Sequence, residues 1–307
     1  MAEDFHKYGF PDGKRYSSFV GYFKRKYGER LQKIVLDAGF TCPNRDGKVG
    51  KGGCTYCDNA AFHPSYSTAG KSLHQQLDEG IEFHKVRYRT TEHYLAYFQS
   101  FSNTYAPESH LRQLYYEAIA PEDIAGLAIG TRPDCLSGKV VQLLREINEI
   151  KPVSVELGLQ TTNPASVRYI RRGYENEVYF DAVRRLKAAG IEVVTHIILG
   201  LPEETPETAA KTTADAVAAG TDGVKFHLLH VLRGTDLEKE YLQGKFRCLE
   251  LEEYAHWLKT CLKEVPPHVT VHRITGDGAK RDLVAPLWSA DKKRVLNYLN
   301  TYLQQVL

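Results

Sequence analysis

No segment of the chain is apolar for the roughly 18 to 20 residues a membrane span requires, which excludes a protein built on membrane-crossing helices. The first residues, Met1-Ala2-Glu3-Asp4-Phe5-His6-Lys7, carry acids where a secretion signal would carry a basic patch and an apolar run, so a cytoplasmic protein is expected. Charge of one sign is lacking too. The 40 Lys and Arg against 38 Asp and Glu leave a formal net charge of +2, too slight an excess to demand a polyanionic partner. There is no internal repeat, no low-complexity segment, no Walker-type phosphate loop, no serine nucleophile elbow and no His-Glu-x-x-His helix. A secreted disulfide framework is missing as well: of the six cysteines, three fall between residues 42 and 57, and Cys135, Cys248 and Cys261 lie far apart. In a reducing compartment such a cluster reads as metal binding or catalysis.

What is present is a repeated strand-then-helix pattern. Apolar runs at Ile34–Leu36, Tyr94–Phe98, Ile124–Ile129, Val153–Leu159, Ile191–Leu199 and Val224–Leu229 predict six strands. Helical stretches lie between them at Val140–Ile150, Tyr179–Ala189 and Thr208–Ala219, the last two stopped by Gly190 and Gly220. Strands joined by crossover helices force a parallel sheet, and six such units predict an α/β fold, a doubly wound sheet or a full or partial barrel. Residues 1–32 are expected as an N-terminal extension, 33–235 as the barrel and 236–307 as a small α/β C-terminal extension. That extension should hold a helix around Trp257, a strand over Val269–Ile274 and a last helix from Asp291. The basic, aromatic stretch Tyr22-Phe23-Lys24-Arg25-Lys26-Tyr27 reads as an amphipathic helix, with an RNA-contacting surface as the alternative.

A barrel builds its site on the segments that follow its strands. Thr131-Arg132-Pro133-Asp134, Gln160-Thr161, Gly200-Leu201-Pro202 and the cysteine loop would all meet at one mouth. That loop, from Cys42 to Cys57, is rich in glycine, with eleven residues between Cys42 and Cys54 and two between Cys54 and Cys57. Glycine lets the backbone wrap an inorganic core and aim amides at it. A fully ligated [4Fe–4S] centre takes four thiolates, so three would leave one iron open. The competing reading is a zinc site in which His63 completes a Cys₃His set, making the chain a zinc-stapled cytoplasmic RNA-binding protein without radical chemistry. Lys225, His227 and His230 near the sixth strand, and Cys135 at the mouth, are further candidates whose ordinary reading is structural.

Cys54-Thr55-Tyr56-Cys57 resembles the Cys-x-aromatic-Cys ending of the cluster motif in the radical S-adenosylmethionine superfamily. The wide first spacing, the run Gly39 to Gly47 and Thr131-Arg132-Pro133-Asp134 look like the branch related to the catalytic subunit of Elongator, in particular its short bacterial members of the YhcC type. The resemblance implies a partial (β/α)6 TIM-type barrel with a [4Fe–4S] cluster on Cys42, Cys54 and Cys57. S-adenosylmethionine would be held by backbone contacts of Tyr56 and by Glu156, Gln160 and Arg172. The family's Gly-Gly-Glu element is missing after the second strand, which leaves Gln99, Ser102 and Asn103 as candidates for the methionine amine, and glycine stands at position 130 where Elongator-like proteins tend to carry glutamate. The implied activity is cleavage of S-adenosylmethionine to methionine and a 5′-deoxyadenosyl radical. The electron would come from a donor such as flavodoxin or ferredoxin. The implied substrate is RNA, as in transfer RNA modification, though no acetyltransferase domain follows in this sequence and the Elongator reaction itself is not expected.

Overall fold

A parallel strand cannot lie beside its predecessor until the chain has crossed back over the sheet, and the helices between the apolar runs make those crossings. The computed structural model of the chain describes residues 10–58, 64–87, 92–276 and 280–307. Seven strands pair side by side: β1 (Gln32–Leu36), β2 (Tyr94–Phe98), β3 (Ile124–Thr131), β4 (Val153–Gln160), β5 (Glu192–Leu199), β6 (Gly223–Leu228) and β8 (Thr270–Arg273), in the order β1-β2-β3-β4-β5-β6-β8. Every pair is parallel, and the sheet curls into a half-barrel. A two-stranded antiparallel patch, β7 (Val231–Leu232) with β9 (Leu283–Ala285), sits beside it.

The helices α1 (Phe19–Tyr27), α2 (Leu73–Arg87), α3 (Glu108–Ile119), α4 (Gly138–Asn148), α5 (Pro164–Tyr169), α6 (Asn176–Ala188) and α7 (Pro206–Ala218) precede or link the first six strands. α8 (Asp236–Leu242), α9 (Leu251–Leu262) and α10 (Lys292–Val306) follow. Their starts are chemically marked: the side chains of Ser18, Ser137 and Thr205 accept from backbone amides in the first turns of α1, α4 and α7. Gly190 and Gly220 take left-handed φ values of +72° and +98° just past α6 and α7, where the chain must turn back toward the sheet.

Strand residues alternate between the two faces of the sheet, and here the faces differ. Ile34, Leu36, Ala96, Phe98, Val155, Leu157, Leu159, Val193, Ile197, Val224 and Phe226 turn outward into the core beneath the helices. Each of the larger side chains among them, fully buried, contributes about 1.5–3 kcal/mol. The residues between them (Tyr97, Glu156, Gly158, His196, Ile198, Lys225 and His227) line the hollow side. The six expected strands are all present, with β3 and β4 running on through Thr131 and Gln160. A seventh comes from the expected C-terminal strand, which joins the main sheet beside β6. The segment after 236 also shares the large core, through Tyr254, Trp257, Leu258, Leu299 and Leu303.

The basic, aromatic stretch is the amphipathic helix α1. Phe23 is buried against Leu31 and Leu95 at the N-terminal ends of β1 and β2, closing the bottom of the half-barrel, while Lys24, Arg25 and Lys26 are exposed. Val271 of β8 donates its amide to Ser17 O at 2.7 Å, so the chain just before α1 is laid along the last strand.

Candidate active site

Cys42, Cys54 and Cys57 stand on the loop that leaves the C-terminal end of β1, half-buried. The loop is tied inward at several points. Arg45 N and Asp46 N bond to Cys42 O at 2.8 and 3.2 Å, Gly53 N to Asn44 O at 2.8 Å, and Cys57 N to Cys54 O at 3.0 Å. Asn44 Nδ2 donates to Arg171 O at 2.7 Å and approaches Cys54 Sγ at 3.6 Å, and Arg45 donates to Cys57 O. Thr55 N bonds to Ile170 O and Leu237 N to Thr55 O, which fixes the backbone on which Tyr56 rides.

All three cysteines line one cavity of about 290 Å³ at the mouth of the half-barrel. Burial, reinforced by the neighbouring Cys57, pushes the Cys54 thiol up to about 11. Burial also raises Cys57, against the pull of Arg45. Thiols held in this way stay protonated until a metal centre displaces the proton. Cys135, Cys248 and Cys261 do not line this cavity. The donor set is therefore three soft sulfurs, which suits an iron–sulfur cluster with one iron left open to another ligand. Among the described residues no three His, Cys, Asp or Glu side chains gather closely enough to hold a single ion. His63, the fourth ligand that a zinc site would need, lies outside the described residues.

Tyr56, Gln99, Ser102, Glu156, Gln160 and Arg172 line the same cavity. Asn103 does not: it is buried behind the β2 and β3 ends, its amide donating to Phe98 O at 3.2 Å and Gly130 O at 2.7 Å. Gln160 takes a left-handed φ of +63°, which a non-glycine residue adopts only under restraint. Arg172 supplies the restraint. Its buried guanidinium donates to Leu159 O and Thr161 O, on either side of Gln160, at 2.7 and 2.9 Å, to Tyr174 O, and to Asn176 Oδ1 at 2.9 Å. All five N–H groups are thus engaged, so Arg172 holds the turn at Gln160 in shape. In the orientation that satisfies it, the Gln160 amide nitrogen lies 3.2 Å from Gly158 O and 3.0 Å from Leu159 O. Arg132 binds Asp134 through two bonds of 2.9 and 2.7 Å and donates to Arg172 O at 2.9 Å, tying the Thr131–Asp134 run to the same support.

Deeper in the hollow, Glu156 is completely buried and is the centre of a charged network. Lys33 from β1 and Lys225 from β6 bond its two oxygens, Tyr97 Oη donates at 2.6 Å, and His196 Nε2 lies 2.9 Å away. Burial works to raise the Glu156 carboxyl, but Lys225, Lys33 and His196 together hold it well below the carboxylate range. Burial lowers Lys225 to about 7, with the attraction of Glu156 opposing it and Lys33 and Arg273 adding to it. Sequence reading had Glu156 and Lys225 but missed Lys33, Tyr97, His196 and Arg273. The available signal was a polar residue at an inward position of an otherwise apolar strand, as at His196 in Val193-Val194-Thr195-His196-Ile197-Ile198.

This half-barrel, with three cysteines in the loop after β1 and strand-end polar groups round one mouth, defines a radical S-adenosylmethionine enzyme. The profile described as the Radical SAM superfamily matches residues 42–216, and that of the Radical_SAM C-terminal domain residues 221–305. The chain belongs to the radical SAM superfamily, whose cofactors are a [4Fe–4S] cluster and S-adenosylmethionine. It is 38% identical over 297 residues to the uncharacterized protein YtqA of Bacillus subtilis, covering 95% of this chain and 90% of that one. It is 34% identical to protein YhcC of Escherichia coli K12, over 95% and 93% of the two chains. A tRNA uridine(34) acetyltransferase of Methanocaldococcus infernus is 28% identical over 157 residues, 49% of this chain and 28% of that one. The fold is similar to that of the Methanocaldococcus infernus Elp3 with an N-terminal deletion: TM-score 0.67, 17% identity, 90% of this chain and 64% of that one.

Proposed function

We propose that Cys42, Cys54 and Cys57 ligate the [4Fe–4S] cluster and that S-adenosylmethionine lies against it in the same cavity. The observation that carries this reading is the lining itself: these three cysteines, and no other among the described residues, share one cavity with the polar ends of β2, β3 and β4. With both cofactors bound, the chemistry supplied is one-electron reductive cleavage of S-adenosylmethionine to methionine and a 5′-deoxyadenosyl radical that takes a hydrogen atom from substrate.

The chain's own residues do the rest. Tyr56 offers backbone groups for the adenine, on a segment pinned by the Thr55 bonds. The turn that Arg172 braces presents Gln160, and Gln99 and Ser102 take the methionine end. Asn103 ties the β2 end to the β3 end from behind, through Phe98 O and Gly130 O. The Tyr56 ring packs against the apolar cluster of Ile170, Ile198, Leu201 and Leu229, which keeps water from that side of the cavity. The electron comes from a small reductant such as flavodoxin or ferredoxin.

For substrate we favour transfer RNA. The support is the likeness of 157 residues of this chain to a protein named as a tRNA uridine(34) acetyltransferase, together with the open mouth of the half-barrel. Protein reconstituted without oxygen and given dithionite and S-adenosylmethionine should release 5′-deoxyadenosine and methionine in equal amounts, and Cys42→Ala, Cys54→Ala and Cys57→Ala should release none. The nucleoside profile of transfer RNA from cells lacking the protein should lose or gain a modified uridine. An unchanged profile would remove transfer RNA as substrate and leave the cofactor assignment standing.

A further inference from the structure

Lys225 and His227 alternate along β6, so both side chains enter the hollow of the half-barrel, and both line the cavity. His196 on β5 pairs in register with Lys225, and Lys225 with Arg273 on β8, giving one basic and imidazole wall across three adjacent strands. Sheet order puts this wall at the end opposite β1, from which the cysteine loop leaves.

Two features of the wall are unsatisfied. The Lys225 ammonium has three N–H donors; Glu156 takes one and Tyr97 Oη, at 3.2 Å, a second. His227 lines the cavity beside it, its ring 5.0 Å from that of His196. Among the described residues charge is unbalanced as well, because Lys33 and Lys225 share the single carboxylate of Glu156. A buried ammonium short of an acceptor and of counter-charge costs free energy, and a neutral guest would leave its charge uncompensated. An oxyanion removes both defects at once.

We propose that Lys225 and His227, with His196 and Arg273 beside them, form a binding site for an anionic group of the substrate, a carboxylate or a phosphate. The inference rests on the reading above, in which S-adenosylmethionine occupies the mouth of the cavity against the cysteine loop. It assigns the wall beneath that mouth to substrate and makes the guest an anion, held deep in the hollow with its reactive carbon toward the mouth.

The probes are orthophosphate and acetate, titrated calorimetrically without oxygen or reductant into reconstituted protein saturated with S-adenosylmethionine. One of them should bind at one site per chain, the stronger one identifying phosphate or carboxylate as the natural group. His227→Leu and Lys225→Met should each weaken that binding at least tenfold, with the affinity for S-adenosylmethionine, titrated in the same proteins, holding. Lys225→Met removes a partner of buried Glu156; if it does not fold, His227→Leu alone decides. Absence of saturation for both anions below about 10 mM would overturn the proposal. So would anion binding that vanishes once S-adenosylmethionine is added, since the wall would then hold the carboxylate of S-adenosylmethionine itself. Should the wild type fail to bind S-adenosylmethionine at all, the cofactor reading falls, and the anion site is judged from the same titration without it.

Discussion

Glu156 keeps its charge in a place where a carboxylate would ordinarily give it up, because two ammonium groups and an imidazole reach it from β1, β6 and β5. Removing one partner of such a buried set leaves the others uncompensated, at a cost of about 3–5 kcal/mol. Glu156→Gln keeps the shape and removes the charge, so urea denaturation of the variant should show a stability loss of about 3 kcal/mol; an unchanged midpoint would mean that the lysines do not depend on Glu156. Lys225 carries a pH signature. Burial, with help from Lys33 and Arg273, brings its ammonium down to about 7 against the pull of Glu156; it also holds His196 and His227 below the usual imidazole range, while Tyr97 is raised well above the usual phenol range. Lys225 is therefore charged below pH 7 and loses its proton above it. Acetate stays ionised throughout, so its affinity for the proposed wall should be greatest below pH 7 and fall above it, toward about tenfold per pH unit. A flat profile between pH 6 and 9 would show that Lys225 does not face the anion.

At the scale of elements, what could be read ahead of the structure followed from local pattern. The six strands were legible because each is an apolar run bounded by turn residues, and Cys54-Thr55-Tyr56-Cys57 carries its own signature within four residues. The strand at Val269–Ile274 was also visible, but its parallel seat beside β6 was not, since a partner lying 47 residues away, as Gly223 is from Thr270, leaves no trace in local periodicity. The same holds for the Glu156 network, whose members Lys33 and Lys225 lie 123 and 69 residues from it. For Arg172 the residue was legible and its work was not: five bonds to neighbouring groups give it a bracing role beneath Gln160. α1 separates its two faces cleanly. Phe23→Ala opens the packing under β1 and β2 and should cost about 3 kcal/mol in thermal or chemical unfolding. Replacing Lys24, Arg25 and Lys26 together by Gln should shift stability little, within about 0.5 kcal/mol for each site. Equal effects would contradict the assignment of α1 as a plug.

For the molecule as a whole, the curled sheet divides labour between its ends. The β1 end carries the loop with the three thiols, the middle strands present Gln99, Gly130 and Gln160 at the mouth, and the far end carries the basic wall. The helices and the segment after 236 cover the convex face with one continuous apolar core, so the hollow face is free to be polar. Among the described residues no helix is long and apolar enough to cross a membrane. A second cavity, lined by Tyr105, Asp134 and Cys135, draws Pro43, Lys48 and Val49 from the cysteine loop. Burial pushes the Cys135 thiol up to about 12, with Asp134 adding to it, and Cys135 lines that cavity rather than the one that Cys42, Cys54 and Cys57 share. The account stands or falls on the three thiols acting together on one cluster with an open iron. Iron and acid-labile sulfide should be measured in protein reconstituted without oxygen, and the dithionite-reduced sample examined by electron paramagnetic resonance with and without S-adenosylmethionine, beside Cys54→Ala. The account predicts about four irons per chain, a reduced-cluster signal that changes when S-adenosylmethionine is added, and loss of both in the variant. Stoichiometric zinc with no such signal, or a cluster signal indifferent to S-adenosylmethionine, would contradict it.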